Sequence, residues 1–211
     1  MSAAVRTGTI TLLCVAAIMF AMPLGSEPAS GSGQPVGPLA RLGFIVFRKT
    51  SMAEVTARLG PGTPLPFGDF VARGWYHPAE RVYLRAVQMS DEWHRSRRLR
   101  GVPSILIATL ASAGHWPAGE GNVADLARPR LTLASLRGPN GIRLGDTKES
   151  VFRALGAGEL QGRRGDIESY NYYGLKPGTP DPGSPGGDRG FVLQVTFTAG
   201  RLTRIHITEA S

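Results

Sequence analysis

The sequence predicts an α+β fold of two tandem small modules, each with one or two helices packed on an antiparallel sheet. Three observations lead there. Helix signals stand ahead of strand-like runs in both halves of the chain. The strand-like runs are short and are separated by Gly-containing turns. The first half also echoes the second under a single shift that lays Ser51 on Thr147. Composition agrees: 28 glycines and 16 prolines among 211 residues supply turns and argue against a long bundle or coiled coil. A hydrophobic share of 42% with 19% charged residues is enough for a packed core.

Residues 1–29 read as a signal peptide. Arg6 is a short basic start, Ile10 to Leu24 is an apolar run, and Pro23, Gly25, Ser26 and Pro28 break it. A membrane span needs about 20 apolar residues, so export fits this run better than a retained N-terminal anchor, the alternative. The expected address is exported, periplasmic or secreted, with no transmembrane helix in the mature chain. Cys14 is the only cysteine and lies inside the leader. The mature chain is therefore expected to form no disulfide and to hold no metal by thiolate.

Residues 30–38, rich in Gly, Ser and Pro, read as a flexible spacer. The first module is placed at 39–113. Its helix is Ser51-Met-Ala-Glu-Val-Thr-Ala-Arg-Leu-Gly60, and Glu80 to Gln88 and Ser104 to Leu110 are strand-like. Residues 114–126, which begin Gly-His-Trp-Pro-Ala-Gly-Glu-Gly, read as a linker. The second module spans 127–211. After a short extended stretch, Gly141 to Gly145, Asp146 or Thr147 caps a helix in which Val151, Phe152 and Leu155 share a stripe and Gly156 is the stop. Ser169 to Gly174 is an aromatic strand, and residues 176–190 form a Gly- and Pro-rich loop. Phe191 to Phe197 and Leu202 to Thr208 make a hairpin around Thr198-Ala-Gly-Arg201. In that hairpin Phe191, Leu193, Val195 and Phe197 share one face, and Ile205 and Ile207 share one face of the returning strand. Under the shift, Val55, Leu59, Gly60, Gly62 and Tyr76 match Val151, Leu155, Gly156, Gly158 and Tyr172.

The stretch Gly141-Ile-Arg-Leu-Gly-Asp-Thr-Lys-Glu-Ser-Val-Phe-Arg-Ala-Leu-Gly156, followed by an aromatic strand, a Gly-rich loop and a terminal hairpin, resembles the SmpA/OmlA-type small envelope module. The resemblance covers Gly141 to Thr208 and extends faintly to Leu39 to Leu110. Modules of this type occur in outer-membrane assembly lipoproteins and, in tandem, in the β-lactamase inhibitor protein. The resemblance implies helices packed on an antiparallel sheet and an envelope setting. This chain lacks the lipidated cysteine of the lipoproteins and the cysteines of the inhibitor, and Ala157 stands where the family commonly has Pro after Leu-Gly; the first copy has Pro61. β-Lactamase inhibition is not implied, because no inhibitory residue can be matched.

Chemistry-bearing motifs are few. His77, His94, His115 and His206 have no metal-ligand spacing; His77 precedes Pro78 in a turn, and His206 lies in the last strand, facing solvent or a partner strand. No Gly-x-Ser-x-Gly, Ser-x-x-Lys, phosphate loop or dinucleotide fingerprint is present, so neither a catalytic residue nor a cofactor is expected. Asp69, Glu80, Asp91, Glu92, Asp166 and Glu168 are the carboxylates whose convergence in the fold makes an envelope hydrolase the alternative function.

Two surfaces are the candidates for binding. All but three of the 24 basic residues are arginine, and the formal charge is +8. Arg95, Arg97, Arg98 and Arg100 crowd around Trp93, a combination suited to phosphate or carboxylate groups; the competing explanation is a solvated hairpin loop. Trp75, Tyr76, Tyr170, Tyr172 and Tyr173 are the aromatics of a candidate sheet face, and the competing explanation is that each group covers the core of its own module. Export argues against nucleic acid. The sequence thus predicts a non-enzymatic interaction protein whose partner is an envelope protein or an anionic surface.

Overall fold

The structure, a computed structural model, describes residues 41–96, 103–174 and 190–209. Two short strands, β1 (Arg41–Leu42) and β2 (Ile45–Val46), pair antiparallel ahead of helix α1 (Met52–Leu59). Strands β3 (Thr63–Leu65), β4 (Phe70–His77) and β5 (Val82–Met89) follow, then α2 (Asp91–Ser96) and β6 (Ile105–Ser112). Helix α3 (Lys148–Leu155) precedes β7 (Glu159–Arg164), β8 (Ile167–Gly174), β9 (Phe191–Thr198) and β10 (Arg201–Glu209). Strands β3 to β10 form one antiparallel sheet of eight strands in the order β3-β4-β5-β6-β10-β9-β8-β7. The expected mixed α and β character is present.

Both long helices form where local chemistry directs. Ser51 closes a capping box with Glu54: its hydroxyl accepts from Glu54 N at 3.3 Å, and its own backbone N–H donates to Glu54 Oε2 at 2.7 Å. Thr147 caps α3 by accepting from Ser150 N at 3.2 Å. Met52, Val55 and Leu59 bury one face of α1; Val151 and Leu155 do the same for α3. Each helix stops at a glycine with positive φ, 92° at Gly60 and 84° at Gly156.

Beyond each stop an aromatic side chain from the sheet locks the helix end. The indole Nε1 of Trp75 in β4 donates to Gly60 O at 3.1 Å, and the Tyr172 hydroxyl in β8 donates to Gly156 O at 3.1 Å. The second glycine of each turn leaves room for the ring. A Cβ on Gly62 would lie 2.6 Å from Trp75, and one on Gly158 would lie 2.7 Å from Tyr172. Trp75 thus does for α1 what Tyr172 does for α3, and it stands one residue from the Tyr76 that the ungapped shift selects.

The helices cover one face of the sheet. Leu84, Leu110, Ile205, Ile207, Leu193, Val195 and Phe197 belong to a single buried cluster with Val55, Leu59, Val151 and Leu155. The halves meet at β6 and β10, where Leu110 pairs Ile205 and Ala108 pairs Ile207. The expected split of the terminal hairpin holds: Phe191, Leu193, Val195 and Phe197 are all buried on the helix side.

Two segments depart from expectation. Residues 114–126 pack against the sheet face opposite the helices. Trp116 meets Tyr83 edge-on at a 5.0 Å centroid distance, Leu126 is buried with Tyr83 and Ala111, and the adjoining Ala127 accepts from Tyr76 N at 3.0 Å. Gly141 to Gly145 does not run extended. Gly141 and Gly145 take φ of 81° and 89°, and the Asp146 carboxylate receives the Arg143 backbone N–H at 2.9 Å, which folds the stretch into turns.

Gly62→Ala is expected to lower unfolding free energy by about 2–4 kcal/mol, combining overpacking against Trp75 with a left-handed backbone. Tyr172→Phe, which deletes the hydroxyl's bonds to the Gly156 carbonyl and the Gly158 backbone, should lower it by about 1–2 kcal/mol. Urea titration followed by tryptophan fluorescence measures both.

Candidate functional site

Strand alternation sends every second side chain to the face opposite the helices. On β10 the core takes Leu202, Ile205 and Ile207, a spacing that is not a strict alternation. A bulge between Leu202 and Arg204 reconciles it: Leu202 pairs Phe197, Arg204 pairs Thr196, and Thr203 is the extra residue. The bulge turns Thr203 and Arg204 onto the outer face, where His206 follows.

These residues meet others from β5 and β6. Arg204 pairs Ala111, next to Tyr83; His206 pairs Thr109, next to Arg85. The His206 Nδ1 and Thr109 Oγ1 share a hydrogen bond of 2.8 Å. The His115 Nε2 and Thr203 Oγ1 share another of 2.8 Å, and the Tyr83 hydroxyl donates to the His115 carbonyl at 3.0 Å. Arg85 Nη1 donates to Glu120 Oε1 at 2.6 Å, with side chains 13% and 26% exposed. The result is a half-buried polar cluster in the middle of the sheet, roofed on one side by residues 113–127.

Its electrostatics are dominated by two guanidinium groups. Burial, then the Arg204 and Arg85 charges, push the His206 imidazole down to about 4. Burial and Arg204 push His115 down as well. Burial pushes the Tyr83 phenol up. At neutral pH the cluster therefore holds neutral imidazoles and a neutral phenol around Arg85, Arg204 and one carboxylate, Glu120.

From His206 a polar row runs outward across β9 and β8. His206 pairs Gln194, and Gln194 pairs Asn171. Gln194 Nε2 donates to Asn171 Oδ1 at 3.3 Å, and Asn171 Nδ2 donates to the Tyr173 hydroxyl oxygen at 3.4 Å. Tyr173 is 61% exposed.

The aromatics named from sequence divide by face. Trp75, Tyr170 and Tyr172 lie on the helix side and are buried at 0%, 7% and 5% exposure. As core side chains they are out of a partner's reach, which corrects their assignment to a binding surface. Tyr76 lies half-buried in the small outer cluster with Trp116 and Leu126. Tyr173 alone of the tyrosine trio points outward, because it is odd where Tyr170 and Tyr172 are even. In the arginine-rich stretch, Trp93 and Arg95 belong to α2, where Arg95 is exposed, and the neighbouring His94 is buried. Arg97, Arg98 and Arg100 lie outside the described residues. Sequence reasoning missed Arg85, Thr109, Glu120, Thr203 and Arg204. The signal was partly legible, since Arg204 and His206 flank Ile205, but the bulge that reunites Leu202 with the core leaves no mark in the alternation.

Most carboxylates have structural partners. The Glu80 Oε2 accepts the backbone N–H groups of Leu133 and Ala134 at 2.9 and 3.1 Å. Glu168 is paired with Lys148 and Arg163, each at 2.5 Å, and the Lys148 and Tyr170 hydrogen bonds hold its carboxyl below the ordinary range. Asp69 and Glu92 line one open cleft of about 450 Å³ and both are exposed. Among the described residues no three His, Cys, Asp or Glu side chains converge, and no helix is long and apolar enough to cross a membrane. Comparison with protein-family models, curated proteins and solved structures returns no match.

His206 is held neutral in the folded chain but takes a proton near its ordinary 6.5 when unfolded. Its contribution is complete above pH 6.5 and is lost as pH falls toward 4, about 3 kcal/mol in all. Urea midpoints across this window should fall steeply for the native chain. They should fall less for His206→Gln, in which His115 and the lowered carboxyl of Glu168 still contribute.

Proposed function

We propose that this chain is an exported, non-enzymatic interaction protein of the cell envelope that seats a macromolecular partner on the helix-free face of its sheet. The observation that carries the proposal is the row Gln194–Asn171–Tyr173, which ends in a tyrosine 61% exposed on an open face. A tyrosine with an apolar ring and a polar tip, steadied at its hydroxyl, is the kind of side chain that anchors protein interfaces. The apolar leader in residues 10–24 supports export.

The proposal includes a tandem architecture of two SmpA/OmlA-like modules. Four parallels support it: the capped helices α1 and α3, their glycine stops, the Trp75 and Tyr172 locks, and a four-strand antiparallel run after each helix. The alternative, an envelope hydrolase, draws on the cleft between Asp69 and Glu92. A carboxyl pair working as acid and base needs two different environments, one of them desolvated. Both of these carboxylates are exposed, so the sheet face is the better-supported site.

The test is retention of envelope proteins from a native extract on the immobilised chain, at low and high salt. Tyr173→Ala is expected to reduce retention about tenfold, with Arg97/Arg98→Glu leaving it unchanged and high salt weakening it only modestly. Retention lost in the arginine variant and in high salt moves the site to the arginine-rich stretch, residues 95–100. No specific retention overturns the binding reading.

A further inference from the structure

We infer that Arg204, with Arg85 beside it, receives a carboxylate side chain of the docked protein. The inference rests on the sheet-face reading above and names the chemistry of the partner at that face.

A guanidinium stays charged at any physiological pH, and burying it without a counter-charge is costly. Arg204 is half-buried. Its Nε is wholly buried and has no hydrogen-bond partner, and no carboxylate among the described residues pairs with it. Arg85 has a partner, but a poor one for its shape. Glu120 meets it through a single oxygen, while Arg85 Nε and Glu120 Oε2 are both buried and unpaired. The cluster thus sets two forked cations against one carboxylate, which meets only Arg85 and only at one point. The surrounding His115, His206 and Tyr83 are neutral at pH 7 and offset none of this charge.

The placement is specific. Without the bulge at Leu202–Arg204, either Leu202 or the pair Ile205 and Ile207 would leave the core. With it, the same backbone irregularity aims Arg204 at the centre of the outer face. A carboxylate arriving there can accept two parallel N–H bonds from a guanidinium, the geometry in which arginine binds acids most strongly. The occupant is an aspartate or glutamate on a protein surface, because the site belongs to a longer footprint. His206 on β10, Gln194 on β9 and Asn171 on β8 are consecutive register partners. Arg204 is in register with Thr196 on β9 and Ser169 on β8, so Tyr173 stands two strand spacings across and four residues along, roughly 16 Å from the arginine, which a small anion cannot bridge. The formal charge of +8 favours an acidic partner in the same sense.

The experiment pans a library of displayed random peptides on the full chain, on Arg204→Gln and on Glu120→Gln, with near-ultraviolet circular dichroism to confirm packing. Peptides carrying Asp or Glu are expected to enrich on the native chain. Enrichment should drop at least about tenfold on Arg204→Gln and rise on Glu120→Gln, where the internal competitor is gone. A purely structural role for the pair predicts no rise. If Arg204→Gln does not fold, Glu120→Gln decides, and unchanged or weaker acidic enrichment overturns the inference. Acidic enrichment that survives in folded Arg204→Gln also overturns it. A shift of the Arg204 Nε–H nuclear magnetic resonance by inorganic phosphate, with no enrichment of acidic peptides, overturns the protein occupant. Retention of an envelope protein that depends on Tyr173 but not on Arg204 overturns this inference alone. Acidic enrichment without any Tyr173-dependent retention leaves the carboxylate site standing and fails the sheet-face reading instead.

Discussion

The pairing of β6 with β10 is the constraint on which the rest of the molecule depends. Each half supplies four strands, and each half taken alone would leave a long strand, β6 or β10, as an unpaired edge. Joining Ala108 to Ile207 and Leu110 to Ile205 removes both edges and turns two small hydrophobic faces into one core. The same junction builds the outer face. Thr109 and Ala111 stand beside His206 and Arg204 only because these two strands are neighbours, so the polar cluster exists on neither half by itself.

The outer edges of the sheet are treated differently. At one end β3 is three residues long and carries Pro64, and Ala127 continues its line along β4. At the other end β7 is six residues long and exposed throughout, with Arg163 and Arg164 in it. Short length and proline blunt the first edge, and charge blunts the second. Under the proposed function, this leaves the face of the sheet, and not an edge, as the docking surface. Part of that face is roofed by residues 113–127. This roof brings Glu120 to Arg85 and His115 to Thr203, so a segment rich in turn-forming residues shapes the polar cluster.

The parts of the fold that were legible in the sequence are those governed by local chemistry. Caps at Ser51 and Thr147, stops at Gly60 and Gly156, and the alternation from Phe191 to Phe197 each depend on neighbours within a few residues, so the pattern carries them directly. The candidate site was less legible. Trp75, Tyr170 and Tyr172 are large and amphipathic, and their composition suits a core or an interface equally. Only the choice of face separates them from Tyr173, and that choice depends on where the helices pack. Arg85 and Arg204 were invisible as a pair because they are far apart in the chain and meet across three adjacent strands.

The sequence by itself determined the α+β character, the positions of both long helices, the terminal hairpin and the basic charge, because these follow from spacing, capping and composition. Tertiary structure alone decided the strand order, the union of the halves through β6 and β10, the bulge that reorients Arg204, and the burial that holds His206 neutral. The physical reason is that each of these comes from non-local pairing or from desolvation. A one-residue irregularity in register moves a side chain from core to surface while the residues themselves stay unchanged.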